Sequence, residues 1–236
     1  MRPVNKGESP YQFIKDYKDA QSFLENRIGI YCSYCEMPII NAPEVEHIVS
    51  KTNGGDKTKW ENLLLGCKYC NSRKLSITTP INAGEYLWPD SYNSAIAYTY
   101  DGAVPKVAKE RLLRIEPEGE IYKKAQKLFD LVKLDNMPTP KQKDRRFKQR
   151  YQVYQYAREW LTDWNKIKTA QDENKEIAKR QIINMALVSG FFSVWMNVFG
   201  EEPEIRLKLI ESFPGTQTQY YDEDGQEKEI LIVEDT

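Results

Sequence analysis

The 236-residue sequence contains one histidine, His47, and only four cysteines. A centre built on several imidazoles cannot form, and neither can the dense disulfide framework of small secreted domains. No run of about eighteen apolar residues occurs, so no transmembrane helix is expected. The opening Met1-Arg2-Pro3-Val4-Asn5-Lys6-Gly7 lacks the apolar middle of a signal peptide, and a cytoplasmic location is expected. No Gly-x-x-x-x-Gly-Lys-Ser/Thr loop appears, so P-loop chemistry would have to come from another chain. Internal repeats and low-complexity blocks are also missing. Net charge is small, −1, but unevenly spread. Residues 101–150 carry 14 Lys/Arg against 8 Asp/Glu, and residues 201–236 carry 3 against 11. A basic middle and an acidic end fit a phosphate-facing surface set apart from an acidic one; solvated helix faces and a charged tail fit the same counts.

What is present concentrates between Tyr31 and Lys74. The cysteines stand as Cys32-Ser-Tyr-Cys35 and Cys67-Lys-Tyr-Cys70, with 31 residues between the pairs. In a chain without export signals, two Cys-x-x-Cys turns read as a metal site in a reducing compartment better than as two disulfides. Two such turns close a tetrahedral four-thiolate Zn²⁺ site with no open coordination position, so its contribution is to folding and positioning. The insert between the pairs holds Val45-Glu46-His47-Ile48, then Asn53-Gly54-Gly55, then Trp60-Glu61-Asn62-Leu63-Leu64-Leu65.

Around that stretch the pattern is mainly helical. Ser9-Pro10 with Gln12 predicts a helix start, and Phe13, Tyr17, Ala20, Leu24 and Ile28 continue one apolar stripe to Gly29. This helix is expected to buttress the zinc turns. Val45–Ser50 reads as a strand ending at a turn, and a helix starting near Cys67 is cut short by Thr78-Thr79-Pro80. Residues 80–105 predict loops with a short strand over Ala95–Tyr100. From about Lys106 helical periodicity marks a segment ending with Leu112, Leu113 and Ile115, then Ile121–Val132, a long segment with Phe147, Tyr151, Tyr154, Ala157, Leu161 and Trp164 on one stripe, and Glu173–Val188. Phe191–Phe199 is dense enough in apolar residues to be core, with a partner-binding surface as the other reading. A last helix over 202–212 and a hairpin near Asp224-Gly225 complete the expectation.

Glu46-His47, a Gly-Gly loop, Asn62-Leu63 and Cys67-x-x-Cys70-Asn71-x-x-Lys74 resemble the HNH nuclease motif in its zinc-braced form. The resemblance covers about a fifth of the chain. It implies a mostly helical α+β protein whose ββα-metal, treble-clef-like core carries a four-cysteine structural zinc site within a helical framework. It also implies a nuclease domain over residues 1–100 and a helical domain over 101–236 that offers a partner or nucleic-acid surface. Family positions make His47 the general base, Asn62 the residue that braces the loop and orients the histidine, and Glu46 and Asn71 ligands of a catalytic Mg²⁺ or Mn²⁺.

The chemistry agrees with those assignments. Phosphodiester hydrolysis needs a base to activate water and a cation to absorb developing charge. His47 is the only side chain here that ordinarily titrates near neutrality. A lone histidine is usually structural; its position after Glu46 inside a zinc-closed frame favours catalysis. Mg²⁺-type ions take carboxylate and carbonyl oxygens plus water, which suits Glu46 and Asn71. Adjacent strand residues point to opposite faces, so Glu46 and His47 share a site only where the strand is distorted, and Glu46 could instead hold His47 or a backbone amide. A helix cap is the alternative for Asn71. Lys51, Arg73 and Lys74 lie near enough to hold phosphate oxygens, and on a helix Lys143, Arg146 and Arg150 would share a second phosphate-facing side. An ordinary solvated face explains the same spacing.

The wider sequence also resembles one bacterial group, the HNH subunits of Septu-type and retron-associated anti-phage systems. Met1-Arg2-Pro3-Val4, Tyr31–Glu36, Gly190–Phe199 and Phe213-Pro-Gly-Thr216 carry this likeness. It implies a role in phage defence and an ABC/SMC-like ATPase as partner; DNA as substrate is what the resemblance to the HNH nuclease motif implies.

Overall fold

The computed structural model describes residues 1–10, 15–75, 82–140, 144–169 and 173–232. A short hairpin sets its frame. β1 (Glu44–His47) and β2 (Leu63–Gly66) pair antiparallel, with Glu44 opposite Gly66 and His47 opposite Leu63. Leu63, Leu64 and Leu65 are all fully buried, which an unbroken apolar run requires when a strand is covered on both faces. Helix α2 (Lys68–Leu75) follows at once and packs on β1. The strand expected to reach Ser50 stops at His47, where the chain leaves the ladder for a loop. Thr78-Thr79-Pro80, expected to end α2, lies outside the described residues.

Of the helix expected from Ser9-Pro10, residues 11–14, with Gln12 and Phe13, lie outside the described residues, and Lys15 and Asp16 are not helical. Asp16 accepts the Lys18 N–H while Asp19 returns to the Asp16 N–H, a capping box of two carboxylates that opens a 3₁₀ turn over Tyr17–Ala20. Helix α1 (Gln21–Ile28) continues from it, buries Leu24 and Ile28, and ends at Gly29.

Past the hairpin unit, β3 (Tyr98–Asp101) and β4 (Val104–Val107) form a second two-stranded sheet, so the expected strand starts three residues later than Ala95. Helices α3 (Lys109–Ile115), α4 (Glu120–Val132), α5 (Arg146–Ile167), α6 (Glu173–Ser189), α7 (Phe192–Val198) and α8 (Pro203–Ser212) complete a mostly helical α+β fold. An isolated bridge, Tyr221 to Glu227, closes the turn at Gly225.

Two hydrophobic clusters organise these elements. One runs from Met1 to Leu134 and joins the hairpin, α1, α2 and α4. The other runs from Val153 to Tyr221 and is built from α5 to α8. Phe191, Phe192, Val194, Trp195, Met196 and Phe199 are all buried in the second, so the aromatic run is core and leaves no partner surface of its own.

The clusters meet where the first Cys-x-x-Cys turn touches the start of α7. Glu36 accepts the Ser193 N–H at 2.9 Å and its hydroxyl at 2.6 Å, and the Glu36 carbonyl accepts the Phe191 N–H at 2.8 Å. Glu36 (φ 64°), Gly190 (φ 69°) and Phe191 (φ 54°) are all left-handed here. Such backbone costs a non-glycine residue about 1–3 kcal/mol, so surrounding contacts must hold it. Only glycine fits at 190, because a Cβ would lie 2.7 Å from the Glu36 carbonyl and from Pro38 Cδ. The same region gathers the outer motifs of the chain. Arg2 donates to Glu36 through its backbone and to Pro214 O, Thr216 Oγ1 and Ile28 O through its guanidinium, and Val4 bridges to Thr216.

Candidate active site

Cys32, Cys35, Cys67 and Cys70 are buried, reduced and convergent, with all four Sγ atoms within 4.8 Å of one another. A tetrahedral Zn–S bond of ~2.3 Å sets an S···S edge near ~3.8 Å. Cys35 and Cys67 lie 3.7 Å apart, so the residues fit a zinc ion. Among the described residues this is the one cluster of three or more His, Cys, Asp or Glu groups able to hold a metal. The first turn rests on the hairpin through Ser33 N–H to Leu65 O, and the Cys70 N–H points at Cys67 Sγ. A zinc ion held by these four sulfurs would tie the turn before β1 to the N-terminus of α2 across β2.

His47 ends β1, buried against the loop that returns to β2. Its Nε2 lies 2.9 Å from the Lys57 carbonyl. A carbonyl only accepts, so Nε2 carries the proton, and in the neutral ring Nδ1 holds the free lone pair. The pKa of His47 is lowered from its ordinary value: burial is the main cause, the Lys57 bond opposes it, and the charge of Lys51 adds to it. A neutral imidazole with an open Nδ1 is the form that takes a proton. Tyr17 packs against the ring at 4.9 Å between centroids and carries Lys51 Nζ 4.0 Å over its own face.

The loop is held by Asn62. Its Oδ1 accepts the Val49 N–H at 2.8 Å, and its Nδ2 donates to Val49 O at 3.0 Å and to Asp56 O at 2.7 Å. Asp56 in turn accepts the N–H groups of Thr58 and Lys59, an Asx turn that presents the Lys57 carbonyl to His47. Gly55 runs so close to Val49 O that a Cβ would lie 1.9 Å from it.

A cavity of about 210 Å³ opens beside His47, lined by Tyr17, Glu46, His47, Lys51, Asn71 and Lys74 among others. Glu46 is 2% exposed and doubly engaged, by the Tyr34 hydroxyl on Oε1 and by Lys74 Nζ at 2.5 Å on Oε2. It holds neither His47 nor a backbone amide. Burial pushes its pKa up to about 7 against the pull of Lys74, and burial likewise lowers the pKa of Lys74 against the pull of Glu46. Asn71 lines the cavity with its Nδ2 bonded to Glu44 Oε2 at 2.7 Å. Besides the His47 ring and the Lys51 and Lys74 ammonium groups, the lining holds the Glu46 carboxylate and the Asn71 amide, oxygen donors of the kind an Mg²⁺-type ion with few protein ligands takes. A carboxylate has about four lone-pair sites, so Glu46 retains capacity beside Tyr34 and Lys74.

The expected basic residues divide. Lys51 is exposed at the cavity. Arg73 is half-buried in the last turn of α2 and does not line the cavity. Lys74 is 2% exposed; besides Glu46 it donates to the His47 carbonyl at 2.7 Å, so it braces β1 from the cavity wall. The second phosphate-facing side is a correction. Arg146 and Arg150 are 1% and 0% exposed, and Lys143 lies outside the described residues. Arg146 donates to Cys70 Sγ at 3.2 Å, to Val132 O and Lys133 O, and pairs with Asp144 at 2.7 Å. It places a positive charge beside Cys70. Arg150 lies over the Phe191 ring in the second cluster.

Three site residues escaped the sequence reading: Tyr17, Tyr34 and Glu44. Asp56-Lys-Thr58 carried a legible signal, since Asx turns favour that pattern, but the carbonyl it presents belongs to the backbone. Residues 32–76 match the family model of the HNH endonuclease. No curated protein and no solved structure matches the chain.

Proposed function

We propose that the chain is a metal-dependent endonuclease that hydrolyses phosphodiester bonds in DNA, with β1, β2 and α2 as its ββα-metal core. The observation that carries this reading is the held imidazole: His47 Nε2 fixed on the Lys57 carbonyl, Nδ1 open, beside a cavity that Asn71 lines, all within the matched residues. His47 takes a proton from water at Nδ1 as the water oxygen attacks phosphorus and a P–O bond breaks. Glu46 and Asn71 would hold the Mg²⁺ or Mn²⁺, which when bound stabilises charge on the phosphate and the leaving oxygen. Lys51, held over Tyr17 at the cavity, contacts a substrate phosphate. Arg73 is a second such contact. Asn62 is a positioning residue that keeps the loop and its Lys57 carbonyl in place.

Residues 1–100 supply the nuclease domain and 101–236 the helical domain in this reading. The protein acts in the cytoplasm against phage, beside an ABC/SMC-like ATPase. The outer motifs that resemble Septu-type subunits support this, together with the lack of a P-loop here. No helix among the described residues is long and apolar enough to cross a membrane.

The test is a plasmid-cleavage assay with Mg²⁺ or Mn²⁺ on the protein co-purified with its host partners, comparing wild type with His47→Ala. Cutting by the wild type alone supports the reading. Equal cutting by both removes His47 as the base. The engaged Glu46 favours one other reading, a zinc module that only binds nucleic acid or protein. DNA retained without cutting, with or without partners and metal, would establish that alternative.

A further inference from the structure

Asn71 can serve a cation only if its amide is turned the right way. The two ends of the group are nearly identical in shape, and the torsion that turns them is broad and roughly two-fold. Only the carbonyl end can ligate a hard cation; the NH₂ end repels it. Something must therefore break the symmetry. Glu44 stands at the first position of β1, opposite Gly66 and one residue outside the Val45–Leu65 pair. Its Oε2 accepts from Asn71 Nδ2 at 2.7 Å. An ionised carboxylate has no proton to give, so the reverse orientation would set Asn71 Oδ1 against a carboxylate oxygen. The NH₂ end is thus pinned toward Glu44, and Oδ1 accepts no hydrogen bond from the described residues.

We propose that Glu44 is a positioning residue for the divalent cation: it fixes the rotamer of Asn71 so that Oδ1 is the end presented to the ion. This deepens the nuclease reading and rests on it. Glu44 does not touch the ion or the substrate; it acts through Asn71. The arrangement parallels the outer carboxylates that fix histidine ligands at metal sites, whose loss weakens metal binding about 10- to 100-fold. Glu46 needs no such guide, since both its oxygens are acceptors.

The test measures Mn²⁺ affinity, independent of turnover, by the loss of the free-ion electron paramagnetic resonance signal on titrating the full-length, zinc-loaded protein. Wild type, Glu44→Leu, Asn71→Ala and the double variant are compared. Glu44→Leu should weaken binding about 10- to 100-fold, and it should have no further effect once Asn71 is alanine, because its route to the ion is gone. A carboxylate that merely attracts cations through space would weaken binding equally in both backgrounds, and that additivity overturns the proposal. So does a Glu44→Leu affinity within about two-fold of wild type. If Glu44→Leu fails to retain four-thiolate zinc, Glu44→Gln replaces it: the amide can donate as well as accept, releases the pin, and should weaken binding in the Asn71 background alone. Wild-type protein that binds no Mn²⁺ beyond the zinc site overturns the cation reading and this inference with it. Intact wild-type affinity with an additive or silent Glu44 variant overturns this inference alone.

Discussion

His47 has two ring nitrogens, and the fold commits one of them. With Nε2 on the Lys57 carbonyl, the ring can neither rotate nor change tautomer without losing a hydrogen bond. Replacing His47 with alanine removes the base but no buried charge, so thermal stability should change little while cleavage falls to background. Asn62→Ala tests the support beneath. It deletes three bonds to the loop, frees the Lys57 carbonyl, and should lower kcat about 100-fold with KM nearly unchanged, the expected result of a small misplacement of a catalytic group. A mutant that lost KM and kept kcat would place Asn62 in substrate binding instead. At this scale the cysteines, His47 and the loop were legible because their chemistry is local and their residue types scarce. Glu46 was not: its partner Lys74 is 28 residues away, and only the packing of α2 on β1 brings the two together.

Helix α5 shows why charge patterns mislead at the scale of an element. Its buried stripe is Arg146, Arg150, Val153, Ala157 and, two turns on, Trp164, a helical spacing whose first two members are arginines. Read for apolar residues alone, the stripe shifts one position toward Phe147 and Tyr151, and Tyr151 is in fact 49% exposed. Arg146 is inside because sulfur, two carbonyls and Asp144 wait for it there. Truncating it to alanine removes the counter-charge of the buried Asp144 carboxylate, which keeps only the Asn136 amide and a backbone N–H, and takes a donor from Cys70 Sγ and Val132 O. Breaking a buried pair this way typically costs about 3–5 kcal/mol, which urea denaturation should read as a lower midpoint. Lys51→Ala should do the reverse: stability within about 0.5 kcal/mol of wild type, DNA affinity weakened, and the slope of log affinity against log salt reduced by roughly one contact. An unchanged slope would remove Lys51 from the phosphate contacts.

For the molecule as a whole, the question is what zinc holds together. A structural zinc ion contributes about 10–16 kcal/mol in small zinc-binding peptides, as much as the entire stability of an ordinary domain. The ion would join the turn ahead of β1 to the start of α2, so its loss should release the first cluster, from Met1 to Leu134. The second cluster has a core of its own in Trp164, Phe192, Trp195, Phe199, Ile205 and Leu209, and no cysteine. Among the described residues, more than half of the helical ones sit in α5 to α8, led by the 22 residues of α5 and the 17 of α6. A strong chelator should therefore lower the far-ultraviolet circular dichroism signal of the full chain only in part, while hydrogen exchange shows protection lost before Leu134 and kept in α5 to α8. Arg146 and Glu36 oppose this separation, the first reaching from α5 to Cys70 and the second from the zinc turn to α7. Their few bonds are weak against a hydrophobic core, so the expected order stands: zinc-dependent cluster first, helical cluster later. If chelation abolished the helical signal in one cooperative step, Glu36 and Arg146 would instead be the struts that make both clusters a single folding unit.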